Sequence, residues 1–275
     1  MTKNRLSELL LASIALPVLV QPAMAHSIWF QPSRGELDLL YGHPEIPELQ
    51  GYEPTKVKAV KAFDTLGAEV PVKISRQEAG VSVAVQGKFA AITADFDNGF
   101  WISRGNDNSE NVPESEAVKA NPDYEVGHYL KYTKGFFDPA ADTSQNFGFD
   151  FELVPTSNPY TVKPGENLTV QALYQGKPAV DVTVEHLGRM FKTNSNGIAA
   201  IPIGKQGVRV VESADFKVPL ENNPAADFVT YSTTLSAKKS VPEPSALLGL
   251  GLVSLVAFTQ RSKAKGLEQG QVSDR

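Results

Sequence analysis

Apolar and polar residues alternate along short stretches of this chain, and glycine, proline and asparagine separate the stretches. Alternation with a period of two is typical of strands that bury one face. Short strands at this spacing, interrupted by turn residues, predict an all-β sandwich. In the first part of the chain the predicted strands cover 27–30, 36–41, 57–63, 70–74, 81–85 and 90–94.

The second part of the chain shows the same pattern more clearly. Its strands end at proline–glycine or asparagine–glycine pairs, which supply the backbone angles of tight turns. This pattern predicts a small immunoglobulin-like or transthyretin-like β-sandwich. The predicted strands cover 150–155, 168–174, 180–185, 198–203, 207–211 and 231–235.

A polar segment at 138–146 separates the two groups of strands and is predicted to be a linker. We therefore expect two β-sandwich domains, an N-terminal β-rich domain over 26–145 and a C-terminal immunoglobulin-like domain over 146–238. Asn98-Gly99 is flanked by aromatic residues and predicts a tight turn, since both residue types tolerate positive φ.

The N-terminus has the features of a secretory signal peptide over residues 1–25. Lys3 and Arg5 precede an apolar run that is too short to span a membrane. Small residues at Ala23 and Ala25 form an Ala-x-Ala cleavage site. Cleavage there would make His26 the first residue of the mature protein.

The C-terminal segment 241–265 combines a proline-rich motif, an apolar run and basic residues. Val241-Pro242-Glu243-Pro244, the run 246–258 and Arg261 resemble the PEP-CTERM sorting signal of Gram-negative bacteria. The resemblance implies processing by an exosortase and display at the cell surface. A short inner-membrane anchor is the alternative, and both readings place the folded part in the periplasm or cell envelope.

Composition and motifs narrow the function further. The chain has no cysteine and a net charge of −5, so neither disulfides nor a basic nucleic-acid surface is expected. It contains no Gly-x-Ser-x-Gly elbow, no phosphate-binding loop and no His-Glu-x-x-His pair. We therefore predict a binding protein and not an enzyme.

Histidines are the best candidates for metal ligands. An N-terminal His26 would offer its α-amine and its imidazole, which can close a chelate ring on one metal. His128, in an aromatic and basic segment, and His43, on a loop, are the predicted partners. His186 follows a strand and is expected at the surface. Acidic loop residues such as Asp107, Glu110 or Glu125 could complete the site, although no spacing selects one.

Six stretches follow one another along the chain, at 26–30, 97–101, 155–160, 163–166, 176–179 with 182–184, and 193–197. In this order they resemble the NikM-like family of periplasmic substrate-binding components of nickel uptake systems, also known as a domain of unknown function. The resemblance implies binding of nickel or cobalt next to a membrane metal transporter. Imidazole also suits copper and zinc, so the metal stays open.

Two other functions remain open from the sequence. One is a metal-free surface or matrix protein whose β-sandwiches bind a partner or glycan after sorting by an exosortase. The other is an oxidative polysaccharide-cleaving enzyme, because such enzymes hold copper with an N-terminal histidine. The second would require a flat aromatic face, whereas Trp29 and Trp101 are expected to pack in the interior.

Overall fold

A computed structural model describes residues 26–46, 48–105, 108–120 and 122–237. The predicted signal peptide and the predicted sorting signal lie outside these residues and stay predictions. Within the described ranges the chain is almost entirely β-structure, with one short α-helix at Glu114–Ala117 and one 3-10 turn at Pro54–Lys56. The predicted all-β class is therefore confirmed.

The described residues form nineteen strands, numbered here in chain order. They are β1 Ser27–Ser33, β2 Glu36–His43, β3 Glu48–Leu49, β4 Val57–Phe63, β5 Glu69–Val70, β6 Val72–Gln77, β7 Gly80–Val85, β8 Ala91–Ser103, β9 Ser109–Val112, β10 Glu125–Phe136, β11 Phe151–Pro155, β12 Asn167–Tyr174, β13 Lys177–Pro178, β14 Thr183–His186, β15 Arg189–Lys192, β16 Ile198–Pro202, β17 Val210–Ser213, β18 Phe216–Pro219 and β19 Phe228–Ala237.

These strands form three sheets. Sheet A has the order β1-β2-β7-β6, with β3 added beside β2. Sheet B is the largest and runs β15-β14-β17-β19-β10-β8-β4-β5, with β18 and β9 at its sides. Sheet C has the order β11-β12-β13, and β16 pairs with β12.

Sheet B is the central layer, and the other two sheets cover its opposite faces. Ile92 and Phe96 of β8 pack in a core with residues of sheet A. Ala91 of β8 and Tyr132 of β10 pack in a second core with residues of sheet C. Because strand side chains alternate between the two faces, the same strands contribute to both cores.

The central pair β10 and β19 is parallel and joins the two halves of the chain. Its register runs from Gly127 opposite Phe228 to Phe136 opposite Ala237. All ten residues of β19 are buried, as expected for a strand covered on both faces. Sheet B thus contains strands from both sides of the predicted boundary at residue 145. The two halves of the chain are therefore joined by a common sheet in addition to the predicted linker.

The predicted turn at Asn98-Gly99 is wrong. β8 runs through it as a strand of thirteen residues. The pairing with β10 skips Asn98, since Tyr129 lies opposite Gly99 and Leu130 opposite Asp97. Gly99 has a φ of +80°, so its tolerance of positive φ serves a β-bulge inside the strand.

No helix among the described residues is long and apolar enough to cross a membrane.

Candidate metal centre

The first hairpin brings two histidines together. Its turn is Arg34-Gly35, and both residues have positive φ, as a type I′ turn requires. Ser27 pairs with Gly42, so His26 and His43 follow at the open end of the hairpin. Their ring centroids lie 4.6 Å apart. At this distance both imidazoles can contribute a nitrogen to one metal ion.

The surroundings of His26 favour its neutral, metal-binding form. The ring stacks on Tyr41 with centroids 5.1 Å apart. Burial, followed by the charges of His43 and Lys131, lowers the pKa of His26. Because metal ions bind the neutral imidazole, a lowered pKa reduces the competition from protons near neutral pH.

Glu45 supplies an acidic side chain next to the histidine pair. It lies in the turn after β2, at the surface, and its Oε1 is 3.9 Å from Nδ1 of His43. Two imidazoles and a carboxylate are donors that divalent transition metals accept. The donor types of these three side chains therefore suit such a metal without any cysteine.

Two further glutamates lie beside Glu45. Glu185 of β14 and Glu212 of β17 are direct cross-strand partners. Their neighbours Val184 and Val211 point into the core on the sheet C side, so the glutamates point to the opposite face. One carboxylate oxygen from each of Glu45, Glu185 and Glu212 lies within 4.8 Å of the others.

The N-terminal strand covers these glutamates. The hydroxyl of Ser27 donates a hydrogen bond to Oε2 of Glu212. Nearby, Thr234 Oγ1 donates to the carbonyl of Ile28 at 2.6 Å, which fastens β1 across sheet B. These two bonds attach the start of β1 to sheet B beside the carboxylate cluster.

Burial has a strong effect on the acid groups here. It raises the pKa of Glu212 to about 8, aided by the nearby charges of Glu45 and Glu185 and against the Ser27 hydrogen bond. Burial likewise raises the pKa of Glu185. In the absence of a cation, the cluster therefore retains protons that exposed glutamates would have lost.

His128 lies in a different place from the histidine pair. Its Nε2 is 2.8 Å from Oδ1 of Asp97, and its ring stacks on Phe100 with centroids 4.3 Å apart. Lys131, whose charge acts on His26, is three residues further along β10. Since alternate residues of a strand face opposite sides of the sheet, His128 lies on the face of sheet B opposite to Lys131 and therefore points away from His26.

The remaining sequence candidates also lie elsewhere. His186 is buried, at 3% exposure, and its Nε2 accepts a hydrogen bond from the Arg209 amide, so the expected surface position is wrong. Glu110 pairs with Arg104 at 2.6 Å, and Glu125 pairs with Lys217 at 2.6 Å. Asp107 lies outside the described residues.

Sequence reasoning missed Glu185 and Glu212 and ranked His43 behind His128. The hairpin register carried a usable signal for His43: counting back from Arg34-Gly35 places position 26 opposite position 43. No comparable signal marks the glutamates, because Glu185 occupies a polar position of the predicted strand 180–185 and Glu212 follows the predicted strand 207–211.

A cavity of about 250 Å³ borders the cluster on the outside. Glu45 lines it, together with Trp29 and Arg209. A small ion can therefore approach the carboxylates from the Glu45 side.

A family model described as "Domain of unknown function (DUF4198)" matches residues 23–215. The match spans most of both predicted domains and includes His26, His43, Glu45, Glu185 and Glu212. Comparisons with curated proteins and with solved structures give no significant match.

Proposed function

Because the chain belongs to the family described as a domain of unknown function (DUF4198), whose description names no activity, we propose a function from the geometry. The proposed function is that of a non-enzymatic, transition-metal-binding accessory protein of the cell envelope. It holds a divalent ion through His26 and His43, with Glu45 as the third ligand. Nickel and cobalt are the proposed cargo of an uptake system.

The observation that carries this proposal is the 4.6 Å separation of the His26 and His43 rings. The two side chains belong to opposite strands of a hairpin with a tight turn, so their spacing is set by a rigid element. Such preorganisation reduces the ordering that a ligand must impose. His128 forms its own pair with Asp97 and is not part of the proposed site.

The donors limit the class of metal. Imidazole nitrogen suits nickel, copper, zinc and iron, and a carboxylate is compatible with each of them. If the signal peptide is removed after Ala25, the α-amine of His26 adds a third nitrogen. That donor set favours nickel, cobalt or copper over magnesium and calcium, which prefer oxygen ligands.

The accessory role follows from the lack of any catalytic motif and from the predicted export signals at both ends. A soluble, exported domain with one open metal site could present its ion to a transporter in the inner membrane. The sorting signal would keep the domain at the envelope or move it to the surface by way of an exosortase. These steps rest on the sequence features described above.

Calorimetric titration with Ni²⁺ tests the metal site. The protein beginning at His26 is compared with His26→Ala and His43→Ala, and each variant is expected to bind at least about tenfold more weakly. His128→Ala is the matched control and should keep the wild-type affinity. Wild-type affinity in both His26→Ala and His43→Ala would overturn the proposal.

A second comparison tests the α-amine. One additional residue ahead of His26 converts the amine into a peptide nitrogen, which is a far weaker ligand at neutral pH. We expect this extended protein to lose most of its Ni²⁺ affinity while its melting temperature stays unchanged. Equal affinity of the two proteins would show that the amine takes no part.

A further inference from the structure

We propose that Glu45, Glu185 and Glu212 form a second cation site, beside the histidine pair, that takes a hard divalent cation of the size of Ca²⁺. The site shares Glu45 with the proposed transition-metal site. Its other two ligands come from sheet B and have no role in the function proposed above. Each site therefore has two ligands that the other does not use.

The oxygens lie close enough together to bind one ion. One oxygen from each glutamate lies within 4.8 Å of the other two. Ca²⁺–oxygen distances are about 2.3–2.6 Å, so oxygens bound to one Ca²⁺ are at most about 4.6–5.2 Å apart. Three carboxylates suit Ca²⁺, which takes several oxygen ligands in a flexible geometry, better than Mg²⁺, which usually keeps waters and binds one or two carboxylates.

An unpartnered buried oxygen points independently to a ligand. Glu185 is only 4% exposed, and its Oε2 has no hydrogen-bond partner among the described residues. The same carboxylate accepts a hydrogen bond from the Gly188 backbone, which leaves one oxygen unsatisfied. Buried polar atoms are rarely left in this state, since the loss of solvation is unfavourable. A cation bound between the glutamates would satisfy the oxygen.

The pairing of Glu185 with Glu212 supports the same conclusion. Like charges that lie directly opposite each other in a sheet are destabilising. Within the described ranges, neither glutamate has a lysine or arginine nitrogen within 4.0 Å. The charge of the Lys131 amine acts on Asp215 more than on Glu212, and the amine donates a hydrogen bond to Ser232 Oγ at 3.2 Å. A bound divalent ion would supply the missing positive charge.

The position of the cluster allows an ion to enter. Glu45 is at the surface and, together with Trp29, lines the cavity of about 250 Å³ described above. Glu185 and Glu212 are themselves buried, at 4% and 2% exposure, and the Ser27 hydroxyl donates a hydrogen bond to Glu212. An ion would therefore reach them by way of Glu45.

Two probes measure this site: Ca²⁺ by calorimetry and Tb³⁺ by luminescence sensitised through Trp29. Wild type is expected to bind one Ca²⁺, with a dissociation constant in the range of extracellular calcium modules, about 0.1–1 mM. Glu185→Gln and Glu212→Gln should each weaken binding at least about tenfold. Glu125→Gln, an exposed glutamate remote from the cluster, is the matched control and should bind as wild type. Melting temperatures in EDTA verify that every variant is folded.

The histidine site and the carboxylate site can be tested separately, because different variants remove each of them. The double variant His26→Ala, His43→Ala should lose Ni²⁺ and keep Ca²⁺ binding within about twofold, whereas Glu185→Gln should do the reverse. Glu45→Gln should weaken both ions. Absence of Ca²⁺ and Tb³⁺ binding by wild type at about 10 mM, or unchanged binding by Glu185→Gln, would overturn the carboxylate site and leave the histidine site untouched.

Discussion

The two faces of the central sheet bury glutamates in opposite ways. On the sheet C side, Glu152 is paired with Lys134, and both side chains are 1% exposed. Its carboxylate also accepts a hydrogen bond from the Phe147 amide at 2.9 Å. On the sheet A side, Glu185 and Glu212 lie next to another glutamate, with no such lysine among the described residues.

The contrast separates a structural charge from a candidate ligand. A buried carboxylate with a permanent cationic partner is satisfied by the fold and needs nothing more. A buried carboxylate whose neighbours are carboxylates remains stable only by holding a proton or a cation. The same residue type therefore has a structural role on one face and a proposed binding role on the other.

The largest effect is expected on the structural face, in Lys134→Met. This change removes the partner of Glu152 and leaves a buried carboxylate without compensation. We expect a loss of about 3–5 kcal/mol in the free energy of unfolding, measured by urea denaturation. The double variant Lys134→Met, Glu152→Leu should lose less, because neither charge remains. If the double variant were as unstable as the single one, the ion pair would not explain the loss.

On the other face, removing a glutamate should raise the free energy of unfolding at alkaline pH, whereas Lys134→Met lowers it. The pKa of Glu212 is raised from 4.5 to about 8, so the folded protein holds a proton that the unfolded chain has released. The contribution of this group to stability is complete below pH 4.5 and is lost as the pH rises through about 8. Relative to Glu212→Gln, wild type in EDTA should therefore become less stable over this range.

Denaturation of both proteins at several pH values measures this difference. We expect the difference in unfolding free energy to change by more than about 1 kcal/mol, since one pKa unit corresponds to about 1.4 kcal/mol. Glu125→Gln serves as the control and should show no comparable change. A constant difference between wild type and Glu212→Gln from pH 5 to 9 would contradict a shared proton in the cluster.

The smallest effect is expected for His128→Gln. The hydrogen bond from His128 is the main cause that lowers the pKa of Asp97. The pair is partly exposed, so its loss should cost less than about 1 kcal/mol in unfolding free energy. Because the Asp97 pKa is lowered, the contribution of the pair is present above the ordinary aspartate pKa and lost as the pH falls below it. A larger loss, measured by urea denaturation at pH 7, would give His128 a greater role in the fold than the geometry indicates.

Much of the fold could be predicted from local pattern. Alternation identified β4 with its observed bounds and placed β2, β7 and β12 within a few residues. It failed at β8, where Asn98-Gly99 forms a bulge and not a turn. A tight turn and a β-bulge both place this glycine at positive φ, and only the pairing of β8 with β10 distinguishes them.

The sequence by itself determined the all-β class and several of the strands, among them β4. The first hairpin, whose two-residue turn places His26 opposite His43, was not predicted from it. Nor did the sequence determine which polar faces would be covered. Glu212 lies just after the predicted strand 207–211, and alternation places Glu185 on the polar face of the predicted strand 180–185, a face that is ordinarily exposed to water. The tertiary structure lays β1 across it, through contacts between residues far apart in the chain, such as Ser27 and Glu212, which are 185 positions apart. Burial of a carboxylate depends on such long-range packing, and no local pattern carries that information.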